Sequence, residues 1–356
     1  MAEITAALVK ELRELTGAGM MDCKKALQET NGDMDKAVDL LREKGAAKAV
    51  KKAGKIAAEG LVKLHISDDH KKAVLLEINS QTDFVAKGDV FAELSDKIMM
   101  HVFENGIQDA EALKSSTIDG KDFTEFINEQ IVSIGENIVV RRVANYSAAD
   151  DEYIVGYVHF NKTNGVLLKA KVDKAETFEK AQKLLQNVTM HISAMGPEYI
   201  SYKELSKEFV EKELAALIGT LEVQNEDLAK LGKPLKHIPK YGSMSQITDE
   251  VFEVEKNAIR EELLAEGKPE KILDKIMPGK VAKFLEDNTQ IDSQYALYSQ
   301  AYVLDADKTV EEALKDEAEK IGGTIEVVEF VRFVVGEGIE KKVENFAEEV
   351  ASQMNL

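Results

Sequence analysis

Apolar positions along this chain change period several times, and each change predicts a different element. Leu8, Leu12 and Leu15 recur at helical spacing until TGAGMMD breaks the run. Asp22 is placed to open a second helix, and the NGD at 31–33 separates it from a third. That third helix, MDKAVDLLREKG, carries Leu40 and Leu41 on its apolar side, Lys44 in its last turn and Gly45 at the stop position. Lys48, Lys51, Lys52 and Lys55 follow on one helical side. The stripe reads as a solvated linker or a patch for an acidic protein surface, with a track for RNA phosphates as the competing use.

From about residue 57 the period becomes two. EGLVKLHIS and KAVLLEINS, joined by DDHK, predict a hairpin. Helices are expected over about 90–105 and 123–134, with Gly135 stopping the second, and NIVVRRVANY predicts a third strand. A similar order begins near residue 152. YIVGYVHFN and NGVLLKAKVD pair around KTN, and a helix follows from Phe178 to about Met195. Setting GLVKLHI…AVLLEI against GYVHF…GVLLKA reveals a weak internal repeat of hairpin and helix, and two such halves packed together predict an α+β core. The copies differ at one exit. The first leaves its hairpin through NSQTDFVAKGD and the second through VDKAETFEK, which has no Thr-Asp-Phe-Val. One copy does without that segment, so Phe84 reads as a recognition element, with a ring tucked under its own loop as the alternative.

Between about 203 and 265, Leu214, Leu217, Leu221, Leu228 and Leu231 step by 3, 4, 7 and 3, interrupted at Gln224. After the two-proline loop GKPLKHIPKYG, Val251, Val254 and Ala258 resume the spacing. The expectation is an antiparallel coiled-coil hairpin, serving dimerisation or partner docking, or packing on itself. GKPEKILDKIMPGK reads as caps and breakers, YVLD as a strand, Thr309–Lys320 as a helix and TIEVVEFVRFVVGEG as a long strand. IEKKVENFAEEVASQM closes as an amphipathic helix with Val343, Phe346 and Val350 on one face.

Charge and composition narrow the function. Of 356 residues, 44% are apolar and 31% charged, as in an ordinary globular protein. The net charge of −19 argues against a general nucleic-acid or acidic-membrane binder. The charge is uneven: 11 basic and 9 acidic residues through Lys55 leave +2 there and −21 on the rest. The single cysteine, Cys23, cannot form an internal disulfide, and no apolar run approaches about 18 residues, so a cytoplasmic setting is expected.

The residues of ordinary catalysis are missing. There is no G-x-x-x-x-G-K-[ST] loop for phosphates and no G-x-G-x-x-G opening a helix after a strand. His65, His70, His101, His159, His191 and His237 fall in no metal-ligand spacing. Cys23 has no identifiable base beside it and reads as a small buried residue. No carboxylates stand out as an acid–base pair. A non-catalytic protein is the better expectation.

Five separated motifs, MAEITAALVKELRELTGAGMMDCKKAL, NGDMDKAVDLLREKG, INSQTDFVAK, IGENIVVRR and FVRFVVGEGIEKK, closely resemble bacterial elongation factor Ts. The resemblance runs from residue 1 to about 200 and from about 265 to the end. The segment from about 210 to 260 is longer than in compact members. The family is the guanine-nucleotide exchange factor of elongation factor Tu, and the resemblance implies an α+β fold partitioned accordingly. A ubiquitin-associated-like three-helix domain would span 1–55, and a first α+β half 56–147. A second half would span 148–202 and 291–337, with an inserted coiled-coil module over 203–290 and a C-terminal helix module over 338–356.

It further implies that the Thr82, Asp83, Phe84 and Val85 segment intrudes into the partner's nucleotide domain. Phe84 would enter between two helices and Asp83 would make polar contacts beside it, disturbing the magnesium and phosphate sites so that GDP leaves. By the same resemblance Lys24, Ile134 and Gly135 contact the nucleotide domain, and His159, Val303 and Leu304 the partner's third domain. No cofactor, metal, direct nucleotide, membrane or nucleic-acid contact is implied, and a homodimer or a heterotetramer with elongation factor Tu is compatible with it. Two competing readings are a ubiquitin-like-binding scaffold built on the N-terminal helices and a ribosome-associated RNA-binding accessory using the lysine stripe. The first leaves Asp83–Phe84 without a role, and the second runs against the net charge.

Overall fold

The structure, a computed structural model, describes residues 4–16 and 18–340; the side chains of residues 46–48 and 50 lie outside that description. The lysine stripe's Lys48 and the expected C-terminal helix from residue 341 onward, with Val343, Phe346 and Val350, therefore lie outside the described residues. The chain is a mixed helix-and-sheet, α+β protein in two compact units, Met1–Leu167 with Val331–Leu356, and Leu168–Phe330.

In the first unit, α1 (Ala6–Thr16), α2 (Met20–Glu29) and α3 (Met34–Ala53) close a small core of Val9, Leu12, Cys23, Ala26, Leu27 and Ala37. Leu15, expected on the apolar side of α1, is instead exposed. The second helix opens at Met20 with Gly19 as its cap, ahead of the expected Asp22.

A hairpin of β1 (Glu59–Ile66) and β2 (Lys72–Ser80) leads into a single helical turn, α4 (Asp83–Ala86). Next come α5 (Asp89–Asn105), the short α6 (Ala110–Lys114), a two-residue ladder of β3 (Thr117–Ile118) with β4 (Lys121–Asp122), α7 (Phe123–Ile134) and β5 (Val139–Ser147). The antiparallel sheet has the order β1-β2-β5, with Leu61 opposite Ile78 and Ile78 opposite Val140. Buried on both faces, β2 hides every residue from Ala73 to Ser80. Leu76 and Ile78 meet Phe91, Ile98, Phe123 and Ile138 on the helix-covered side.

Gly45 does not stop α3. The helix runs two further turns because α3 lies against α7, with Gly45 beside Val132 and Ala49 fully buried in the sheet-side core. That packing outweighs the roughly 1 kcal/mol by which an interior glycine disfavours a helix. Two more strands follow, β6 (Glu152–Val158) and β7 (Asn164–Val172), and the chain enters the second unit within β7.

The second unit holds the rest of β7, α8 (Ala175–Met195), α9 (Lys207–Lys230), α10 (Asp249–Ala265), α11 (Glu270–Asn288), α12 (Gln290–Tyr295), β8 (Ala301–Tyr302), β9 (Asp305–Thr309) and α13 (Val310–Ile321). Phe178, Ala181, Leu185, Val188 and Ile192 line the buried face of α8, which packs on α13.

Three expectations change here. The face that α10 turns inward runs Val251, Glu255, Ile259 and Leu263, an i, i+4 row, while Val254 and Ala258 of the expected heptad are exposed. Glu255 is drawn in by a bond from the Tyr241 hydroxyl at 3.0 Å and by the Lys240 ammonium. The helix packed against α10 is α11. GKPEKILDKIMPGK breaks only at its start, where Gly267 at φ 79° follows the end of α10 and Pro269 caps α11, which then passes through Pro278. An interior proline costs roughly 3 kcal/mol, and α11 is anchored on both sides of it by the buried Leu273 and Asn288. Finally, YVLD is not a strand: Val303 and Leu304 form the turn between β8 and β9.

The last strand, β10 (Ile325–Val334), begins in the second unit and ends in the first. Within the first unit its end, β6 and the start of β7 make a sheet of order β10-β7-β6, and Phe333 joins Val62, Leu75, Ile154 and Leu167 in a second core. Among the described residues no helix is long and apolar enough to cross a membrane.

Candidate functional site

The segment from Gln81 to Lys87 leaves the most buried strand of the first unit and turns outward at once. Thr82 is extended, and its hydroxyl accepts from the Val85 amide at 3.4 Å, capping α4. Such a cap is worth about 1 kcal/mol. The same hydroxyl donates to Oε1 of Glu136 at 2.7 Å, while Oε2 of Glu136 accepts from the Gln81 and Thr82 amides at 3.1 and 3.0 Å. Ser80 Oγ closes the foot of the turn by donating to the Thr82 carbonyl at 3.0 Å. One carboxylate thus holds three donors, and the entry to the turn is fixed before any partner arrives.

The helical turn then sorts its side chains. Val85 and Ala86 pack onto the core beneath. Asp83 and Lys87 pair at 2.6 Å along the outer face, and the Lys87 ammonium holds the Asp83 carboxyl below the usual carboxylate range. Phe84 lies on neither side of that division: its ring is 85% exposed. Burying a phenylalanine is worth roughly 1.5–3 kcal/mol, so this fold leaves that free energy unused in the free chain. The alternative of a ring tucked under its own loop does not hold.

Ile134 and Gly135 are brought to the same place, because Glu136 follows them directly. Gly135 ends α7 at φ 92°, the left-handed conformation that favours glycine, and its carbonyl accepts from the Lys52 ammonium. Lys52 of the basic stripe therefore has a structural use. Ile134 is half-buried against the core, and Gly135 is exposed. Lys24 is exposed on α2.

His159 lies in the β6–β7 turn, where its Nδ1 shares a 2.7 Å hydrogen bond with the Tyr157 hydroxyl. Its ring lies 4.5 Å from that of Phe160, which is 87% exposed. Val303 and Leu304, on the β8–β9 turn of the second unit, are 48% and 56% exposed.

Sequence reasoning missed two residues of this surface. Glu136 was visible only as the acid after a helix-stopping glycine, and Phe160 only as the aromatic beside a histidine at a hairpin turn. A concavity of about 430 Å³ between α1, α3 and α7 has none of the expected contact residues in its lining.

Residues 81–241 and 235–337 match the family model described as Elongation factor TS. The chain is 53% identical over 352 residues to a protein named Elongation factor Ts from Campylobacter fetus subsp. fetus, covering 99% of each chain. It is 51% identical over 346 residues to one of that name from a Sulfurovum species, covering 97% of this chain and 98% of the relative. Against the Helicobacter hepaticus protein of the same name it is 48% identical over 354 residues, covering 99% of this chain and 100% of the relative.

Proposed function

The chain belongs to the elongation factor Ts family, and from that premise we propose that it binds elongation factor Tu carrying GDP and accelerates GDP release and replacement by GTP. It does so as a non-catalytic exchange factor in the cytoplasm. The observation that carries this reading is Phe84, a ring 85% exposed on a turn whose backbone is already fixed by Glu136. A wedge ordered in advance loses little conformational freedom on docking, so more of its burial free energy goes into displacing what it meets.

In the complex, Phe84 enters between two helices of the partner's nucleotide domain and Asp83 makes polar contacts at its side. The strain falls on the magnesium and phosphate sites. The coupling is reciprocal: a factor that weakens GDP binding by some ratio is itself bound more weakly, by the same ratio, when GDP is present. Release therefore needs no residue of this chain on the nucleotide.

Lys24, Ile134 and Gly135 extend the contact to the nucleotide domain, while His159, Val303 and Leu304 meet the third domain. Phe160 adds a second exposed ring beside His159. The finer partition we propose is a ubiquitin-associated-like domain over 1–55, related α+β halves over 56–147 and 148–202 with 291–337, a helical module over 203–290 and a C-terminal module over 338–356. The helical module serves self-association or partner docking, compatible with a homodimer or a heterotetramer.

The test is the release of a fluorescent GDP analogue from elongation factor Tu with and without this chain. Strong acceleration is expected, and an unchanged release rate would sink the proposal.

A further inference from the structure

The Val303–Leu304 turn is built against the usual preference of two-residue hairpin loops. Tyr302 pairs with Asp305 across it, so Val303 and Leu304 are its two central residues. Such loops favour turns with positive φ at one or both central positions, because that twist matches the flanking strands. Neither Val303 nor Leu304 has a positive φ. The ladder is short, with a register shift between Ala301 and Tyr302, and both central side chains are apolar and about half exposed. Neither turn propensity nor burial accounts for its shape.

The support lies underneath. The Val303 amide donates to Nδ1 of His191 at 3.2 Å. His191, on α8, is fully buried, and its Nε2 lies 2.9 Å from Oε1 of Gln300. Gln300 is 1% exposed, and its Nε2 donates to the Gln294 carbonyl at 3.0 Å, which leaves its amide oxygen facing His191. The Gln300 backbone is held at both ends, its N–H donating to Leu297 O at 3.2 Å and its carbonyl accepting from Val310 N at 3.0 Å. These neighbours leave His191 one state. Nε2 must carry the hydrogen that Gln300 accepts, and Nδ1 must be bare to accept from Val303. An imidazolium would set an N–H against an N–H. Burial lowers the pKa of His191 and so favours the neutral ring.

We propose that His191 and Gln300 are a positioning pair for partner recognition, a buried neutral imidazole braced by an amide that sets the direction of the Val303–Leu304 turn without touching the partner. This rests on the reading that the turn contacts elongation factor Tu.

The experiment compares His191→Leu and His191→Asn in the full chain, each alone and combined with Val303→Ala and Leu304→Ala. An asparagine Oδ1 can replace Nδ1 as the acceptor for Val303. In His191→Leu the Val303 amide should exchange with solvent about tenfold faster, and binding to elongation factor Tu with GDP should weaken by about tenfold, the scale of one lost buried hydrogen bond. His191→Asn should restore most of both. In the turn variant, His191→Leu should cost no further affinity. Nitrogen-15 shifts of the unmutated chain should report the neutral Nε2–H ring at neutral pH.

Fully additive losses, an unchanged Val303 amide in His191→Leu, or an Nδ1–H or charged ring would each overturn the proposal. The nitrogen-15 measurement decides even if His191→Leu fails to fold. Intact affinity in the turn variant alone would overturn the contact reading and the recognition role together. The Val303 amide would still show separately whether the imidazole holds the turn.

Discussion

The Thr82 hydroxyl and the Glu136 carboxylate, 54 positions apart in the chain, meet at 2.7 Å where the Phe84 turn leaves the sheet. That bond, with the two amides on the other carboxylate oxygen, links the exposed ring to the end of α7. Two stretches that the sequence presents as separate motifs thus form one rigid support.

Removing the support should loosen the wedge without unfolding the protein. Glu136→Ala strands two amides and a hydroxyl whose bonds to a charged acceptor are worth roughly 1.5–3 kcal/mol each when buried and less at this half-buried site. Amide exchange at Gln81 and Thr82 should rise, and stimulation of GDP release should fall by about tenfold. Glu136→Gln keeps an acceptor and should fall between the variant and the parent. Hydrogen exchange read beside the release assay checks both, and an unchanged release rate in Glu136→Ala would show that the support is dispensable.

Phe84→Ala separates stability from function more sharply. The ring touches little in the free chain, so folding stability should change by no more than about 0.5 kcal/mol. If the ring fills a closed pocket in the complex, its loss there is worth roughly 3–5 kcal/mol, a hundredfold or more in coupling. Thermal melts and GDP release on the same preparation test the pair of expectations. Intact exchange with an intact fold would rule out the intruding ring even in a working exchange factor.

Much of this was legible in the chain. Period-two runs mark β1, β2, β5, β6 and β7, and the absence of Thr-Asp-Phe-Val from the second copy singles out Phe84. What the sequence hid was tertiary. Gly45 carries the signal of a helix end, yet α3 continues because its next two turns pack against α7 and bury Ala49. Pro278 carries the signal of a break, yet α11 is anchored on both sides of it. The heptad count on α10 placed Val254 inward, whereas the contacts of Glu255 with Lys240 and Tyr241 turn a different face to the protein. Glu136 donates no pattern of its own, because a carboxylate that binds backbone amides leaves no periodic trace.

Asp292 gives a pH prediction for the second unit. Its carboxyl is 1% exposed and accepts from the Met244 amide at 2.7 Å, and burial raises its pKa against the opposing pull of Ser243 and that amide. A carboxyl with a raised folded pKa favours the fold most below its unfolded pKa, and that contribution is lost as pH rises through the folded value. Above that value the fold holds a charge it disfavours. Asp292→Asn keeps an acceptor for Met244 without the charge. Its melting temperature should exceed the parent's most at pH above the folded pKa, with the gap narrowing as pH falls through that value toward the unfolded one. A gap that widens in acid would contradict the assignment.

Glu77 provides the strongest stability test, because its carboxylate is fully buried and gathers three partners. Arg141 Nη1 approaches both oxygens at 3.2 and 3.3 Å, Arg142 Nε donates to Oε2, and the Gly336 amide donates to Oε1 at 2.9 Å. Arg142 also donates to the Val334 carbonyl at 2.7 Å and stacks 4.5 Å over Phe333. Glu77 therefore fastens the end of β10 to β2 and β5. Glu77→Ala leaves two arginines facing each other over a void, and stripping one partner from a buried ion cluster costs about 3–5 kcal/mol. Glu77→Gln preserves an acceptor for Gly336 and should lose less. Urea unfolding of both variants measures the difference, and the midpoint for Glu77→Ala should fall further. Equal midpoints for the two variants would mean that the acceptor retained for Gly336 contributes nothing and that the loss is that of the charge alone.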